Sequence, residues 1–98
     1  MKNFEIELKK LRDEIDFVDS KIYESIYQRV LLTGRIGELK KECGVSEMNE
    51  QRRNEIYEKM KSLAVKDGVP VYLISKIYDV IFESSIIEQT ILINKKNK

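Results

Sequence analysis

A chain of 98 residues with 18 basic and 17 acidic side chains has a net charge of +1, so no overall field draws it to nucleic acid, and its length suits one domain with a modest core. Histidine is absent and Cys43 is the single cysteine, which removes an internal disulfide, the usual zinc sites and the Ser-His-Asp and Cys-His nucleophile systems. No run approaches the roughly 20 apolar residues that span a bilayer, and the opening MKNFEIELKK lacks the apolar stretch of a secretory signal, so a cytoplasmic location is expected.

The first element is a proline-free amphipathic stretch from Phe4 to about Glu42. At about 100° per residue, Phe4, Leu8, Leu11, Ile15, Val18, Ile22, Ile26 and Ile36 fall within a sector about 80° wide, which predicts one long helix. At about 1.5 Å per residue it spans roughly 58 Å, against a radius of gyration of about 13 Å for a compact chain of this size. Either the helix breaks, at Gly34 or Gly37, or a second chain covers the overhang. The stripe continues on both sides of Gly34, which favours a dimer.

Two cations share this stripe. Arg29 follows Leu11 by five whole turns, and Lys40 lies about 20° from three turns beyond Arg29. A charge held in an apolar interior must meet a protein partner, reach water or bind an anionic ligand.

The helix is expected to close near Cys43, with Gly44 in the left-handed conformation. Ser46 or Asn49 then caps a second helix, Asn49 to Lys66, with Glu47 and Glu50 near its positive end and Ile56, Met60, Leu63 and Ala64 on its buried side. Asp67-Gly68-Val69-Pro70 reads as a stop, a glycine cap and a proline in the first turn of a third helix, Val71 to Ile93. Ile74, Ile77, Tyr78, Ile81 and Leu92 line one side of that helix, and Phe82, Ile86 and Ile93 form a second apolar edge. The terminal Lys95, Lys96 and Lys98 read as a solvated tail.

Each helix places polar groups on the side it should bury. These are Arg29 and Lys40 on the first, Arg52 at the edge of the second, and Ser85 and Gln89 on the third. Acids are scarce on those faces: Glu88 is the nearest on helix 3, and Asp19 lies about 80° from the centre of the helix 1 stripe. The bland alternatives are that each cation snorkels with a wet head, and that Ser85 bonds back to the carbonyl of Ile81. Together the residues suggest a pocket for a small molecule with at least two negative charges.

The runs Leu11-Arg12-Asp13-Glu14-Ile15-Asp16-Phe17-Val18-Asp19, Gln28-Arg29, Ile36-Gly37-Glu38-Leu39-Lys40, Gln51-Arg52 and Ile81 through Gln89 resemble, in order and spacing, the all-helical class of chorismate mutases. The resemblance covers nearly the whole chain. It implies an all-α fold of three helices per chain, one long and two shorter, in an intertwined homodimer. It also implies rearrangement of chorismate, a dicarboxylate, to prephenate, a pericyclic step that requires neither cofactor nor metal. In the family pattern Arg29 and Arg12 from the partner chain clamp carboxylates, and Lys40 and Gln89 donate to the ether oxygen. Ser85 and Arg52 complete the polar wall. Gln89 does not ionise, so activity is expected to stay flat around neutrality.

Two positions depart from that pattern. Asn49 stands where the family usually has an aspartate, at a contact made largely through backbone. Arg53 replaces the glutamate that binds the ring hydroxyl of the substrate, and an arginine cannot accept that proton. Arg53 is expected either to swing to solvent or to add a cation to the pocket, with turnover reduced rather than lost. Isochorismate-pyruvate lyase, a similar family that tends to lack the glutamate, and a non-catalytic helical interaction module are the alternatives.

Overall fold

The computed structural model describes residues 3–45 and 49–95, and of residues 90–95 the backbone alone. The chain forms helices α1 (Phe4–Cys43), α2 (Glu50–Asp67) and α3 (Val71–Lys95), with no strand among the described residues. The fold is all-α. Among the described residues no helix is long and apolar enough to cross a membrane.

The helix ends are set by short-range chemistry. Asn3 opens α1 by accepting from the Glu5 and Ile6 amides, at 3.0 and 3.3 Å, and Glu5 and Glu7 add negative charge beside the positive end of the helix. Lys40 and Lys41 favour the opposite end. Gly44 has φ +69°, and the amides of Gly44 and Val45 return to the carbonyls of Lys41 and Lys40, at 3.3 and 2.8 Å. That closure is a Schellman-type cap. Helix α1 continues as one α-helix through Gly34 and Gly37, so neither glycine breaks it.

Of the expected caps for α2, Ser46 and Glu47 lie outside the described residues. Asn49 takes an extended conformation and accepts the Arg52 amide at 2.9 Å, so it is the N-cap rather than the first helical residue. Gly68 closes α2 at φ +72°. Pro70 stands just before α3, where its carbonyl accepts from the Leu73 and Ile74 amides. The helix starts at Val71 as expected, with the proline immediately before its first turn rather than inside it.

The chain divides into two compact units, one ending at Leu32 and one beginning at Thr33. The first holds most of α1. Its apolar stripe is exposed in this single chain, with Ile15 at 57% and Ile22 at 51% of full exposure. Within it, Lys9 pairs with Asp13 at 3.0 Å and Lys21 lies over the Phe17 ring at 4.5 Å.

The second unit holds the end of α1 with α2 and α3. Ala64 and Phe82 are its buried apolar side chains, and Phe82 meets Tyr57 edge-on at 5.0 Å and Tyr78 at 5.6 Å. The Tyr57–Phe82 contact joins α2 to α3, which pack against each other, and the Tyr78–Phe82 contact lies within α3. Ile56, Met60 and Ala64 are covered as expected, whereas Leu63 stays exposed. Ile74, Tyr78, Ile81 and Ile86 are half-buried on α3, and Ile77 is exposed. The Leu92 and Ile93 side chains, and Lys96 and Lys98, fall outside the described residues.

Candidate active site

The last third of α1 presents Thr33, Gly37 and Lys40 at spacings of four and three, on one helical face. Thr33 and Gly37 are buried and Lys40 is half-buried. Gly34 flanks this face. A Cβ at Gly34 would stand 3.3 Å from the Glu88 carboxylate, so α3 lies close to α1 here, with the end of a flexible side chain in the space. The inward acid foreseen on α3 is therefore packed against α1.

That close approach brings Lys40 to Gln89, 49 positions later in the chain. The Lys40 Nζ donates to Gln89 Oε1 at 2.8 Å. An ammonium has no acceptor, so the amide end it meets must be the oxygen, and the NH2 group is the donor end directed elsewhere. Gln89 is only 8% exposed. Burial makes each polar contact here stronger than in water and makes an unpaired one costly. An amide oxygen is thus one partner of the Lys40 charge.

Ser85 lies one turn before Gln89 on α3 and is half-buried, and its Oγ donates to the Ile81 carbonyl at 2.9 Å. That back-bond is the bland alternative foreseen for it. Asn49 is committed to capping α2. Arg12 is exposed on the first part of α1, and Arg29 is half-buried there and is not without a partner.

The two neighbouring arginines of α2 behave differently. Arg52, expected at the edge of the buried face, has a 67% exposed side chain beside Glu55 at 3.9 Å. Arg53 is the inward one, with a side chain 32% exposed and Nη2 at 3.5 Å from Glu50. Its Nε is buried without a hydrogen-bond partner. At about 100° per residue Arg53 sits between Met60 and Ala64 on the covered side of α2, while Arg52 is turned about 100° away.

Arg53 faces a groove of about 500 Å³ between α2 and α3, shared with Glu50 and Tyr57 on α2 and with Asp79, Phe82, Glu83 and Ile86 on α3. Of the three carboxylates, Glu50 is expected from the sequence only as a charge at the positive end of helix 2, and Asp79 and Glu83 are not expected at a groove. Their signal was the four-residue spacing of Asp79 and Glu83 and the three-residue spacing of Glu50 and Arg53. Among the described residues no group of three or more acidic or cysteine side chains is arranged to hold a metal ion.

Comparison with known proteins gives this arrangement a context. The family model described as chorismate mutase type II matches residues 11–90, which include Lys40, Ser85 and Gln89. A bifunctional chorismate mutase/prephenate dehydratase of Aquifex aeolicus (strain VF5) is 40% identical over 57 residues, covering 58% of this chain. The match spans 16% of that longer relative, and no solved structure matches. The family match extends over most of the 98 residues and takes in the buried Lys40–Gln89 contact. The chain belongs to the chorismate mutase type II family.

Proposed function

We propose that the protein is a chorismate mutase that rearranges chorismate to prephenate in aromatic amino-acid biosynthesis. The observation that carries this reading is the buried Lys40–Gln89 contact. In the rearrangement the ether carbon–oxygen bond breaks as a carbon–carbon bond forms, and negative charge grows on the ether oxygen. Lys40 carries an ammonium with three N–H donors, one of them given to Gln89, and the Gln89 amide, held by its oxygen, has its NH2 as a second donor. Two donors fixed before the reaction stabilise that charge without reorganising during it. The remaining work is orientation, folding a flexible dianion into a compact, chair-like conformer.

Carboxylate binding falls to Arg29 and to Arg12 of a second copy, whose guanidinium forks suit bidentate contact. Arg52 and Ser85 complete the polar wall, and Asn49 contributes mainly through its backbone. The exposed stripe on the first part of α1 supports an intertwined homodimer, because a contiguous apolar surface of this length calls for a cover. No cofactor or metal takes part in the proposed step, and the expected location is the cytoplasm.

Arg53 supports a qualification. It cannot accept the ring hydroxyl proton, and its guanidinium faces acids across the α2–α3 groove, so turnover is reduced rather than absent. The same residue favours isochorismate-pyruvate lyase as the second reading. Product analysis of the purified chain on both substrates decides between them. Prephenate from chorismate supports the mutase, and salicylate with pyruvate from isochorismate replaces it with the lyase. Arg53→Glu should raise the mutase rate. Silence on both substrates before and after that substitution leaves a non-catalytic interaction module.

A further inference from the structure

On the mutase reading, the side chains named so far answer the carboxylates and the ether oxygen of chorismate but not its ring hydroxyl. That group is a donor, and once it leaves water it needs an acceptor. Arg12, Arg29, Lys40, Arg52 and Arg53 carry donors only. The Gln89 oxygen is engaged by Lys40 and the Asn49 oxygen by the Arg52 amide. Ser85 offers a neutral hydroxyl that is already bonded to the Ile81 carbonyl.

The groove beside Arg53 is rich in acceptors. Glu50, Asp79 and Glu83 line it, and so does Ile86, which neighbours Gln89 on the surface of α3 at a spacing of three. At about 100° per residue Asp79 and Glu83 are turned about 80° and about 120° from Gln89. Glu50 stands instead in the first turn of α2, one turn before Arg53, and its carboxylate lies 3.5 Å from Arg53 Nη2.

That contact is half of a better one. Nε and Nη2 form one edge of a guanidinium, and a carboxylate lying along that edge accepts from both. Arg53 Nε is buried without a partner, so a Glu50 carboxylate that closes the 3.5 Å gap also satisfies Nε. Glu50 is 82% exposed and has room to make that move. An ionised carboxylate has about four lone-pair sites, so the two given to Arg53 leave others for a hydroxyl.

We propose, resting on the mutase reading, that Glu50 accepts the ring hydroxyl of chorismate while Arg53 holds the Glu50 carboxylate along its Nε–Nη2 edge. Glu50 is then the residue that touches substrate, and Arg53 is a positioning residue. The acceptor absent at position 53 comes from one turn earlier on the same helix. Two side chains must be ordered where one glutamate would serve, and one of them starts exposed, which fits a turnover reduced rather than lost.

The test is steady-state kinetics of the full chain on chorismate and on the analogue with hydrogen in place of the ring hydroxyl, read as the ratio of the two kcat/KM values. Glu50→Ala should lower that ratio at least about tenfold, the usual loss with one hydrogen bond to a charged group. Arg53→Lys keeps the charge without the two-donor edge and should lower the ratio too. It also keeps the test open if Glu50→Ala loses its helical circular dichroism. In an Arg53→Glu background residue 53 brings its own carboxylate, so adding Glu50→Ala should lower the ratio by less than it does in the parent. Glu50→Ala slowing both substrates equally, or leaving the ratio where it was, overturns the proposal. So does an equal fall in the ratio with and without Arg53→Glu. A parent that makes no prephenate overturns the mutase reading and this proposal together, whereas an active parent whose ratio ignores Glu50 overturns this proposal alone.

Discussion

The two units of this chain solve the same problem of pattern in opposite ways. Up to Leu32 the helix has a regular apolar stripe and buries almost none of it, whereas from Thr33 onward a less regular set of residues buries Thr33, Gly37, Ala64, Phe82 and Gln89. Periodicity therefore reports which face of a helix is apolar, and only contact between elements decides whether that face is covered. The contrast also divides the chemistry. The Lys40–Gln89 contact is internal to the second unit, while Arg12 and Arg29 lie in the first, where the proposed reading needs a second copy of the chain.

The largest expected effect tests the second unit. Lys40→Ala and Gln89→Ala should each lower kcat for chorismate by about 10²-fold or more, the usual loss when one preorganised donor is removed. A change of less than threefold in steady-state assays would reduce their contact to a packing detail. The next tests the first unit. Ile15→Asp puts a carboxylate on the exposed stripe, and if that stripe is a subunit seam the variant should sediment as a monomer while the parent sediments as a dimer. A parent that is monomeric at tens of micromolar would end the dimer reading and leave the stripe unexplained.

Two smaller effects sharpen the boundary between local and tertiary control. Asn49→Ala removes the α2 cap and should destabilise the chain by about 1 kcal/mol in urea unfolding, with the slope unchanged. Gly34→Ala sets helix propensity, worth about 1 kcal/mol in favour of alanine, against a 3.3 Å approach to the Glu88 carboxylate. That carboxylate ends a flexible side chain and can give by a few tenths of an ångström. A slight rise in melting temperature is therefore expected, and a fall would mean that Glu88 is held rigidly.

Much of the fold was legible because helices and their ends are governed by neighbours a few residues apart. The turns at Gly44 and Gly68 and the cap at Asn49 each depend on contacts within about one turn. Asn3 carried the same signal and was overlooked. The site was legible in part. Lys40 and Gln89 were singled out from face and family pattern, but their mutual hydrogen bond joins residues on different helices and no helical spacing contains it.

The α2 arginines mark where local reading stops. Arg52 and Arg53 are adjacent, equally charged and equally suited to a helix; helical spacing puts Arg53 nearer the Met60/Ala64 side, but the family pattern points to Arg52. Packing chooses: the Tyr57–Phe82 contact sets the rotation of α2 against α3, and that rotation turns Arg53 inward and leaves Arg52 to Glu55 and water. Gly34 makes the same point from the other side. A glycine in a helix looks like a weakness until α3 approaches and Glu88 takes the space. By itself, then, the sequence determined three helices, their caps and their apolar faces, because those depend on short-range hydrogen bonds and periodicity. The tertiary structure decided which polar groups meet and which arginine is buried, because those depend on how helices rotate and how closely they approach.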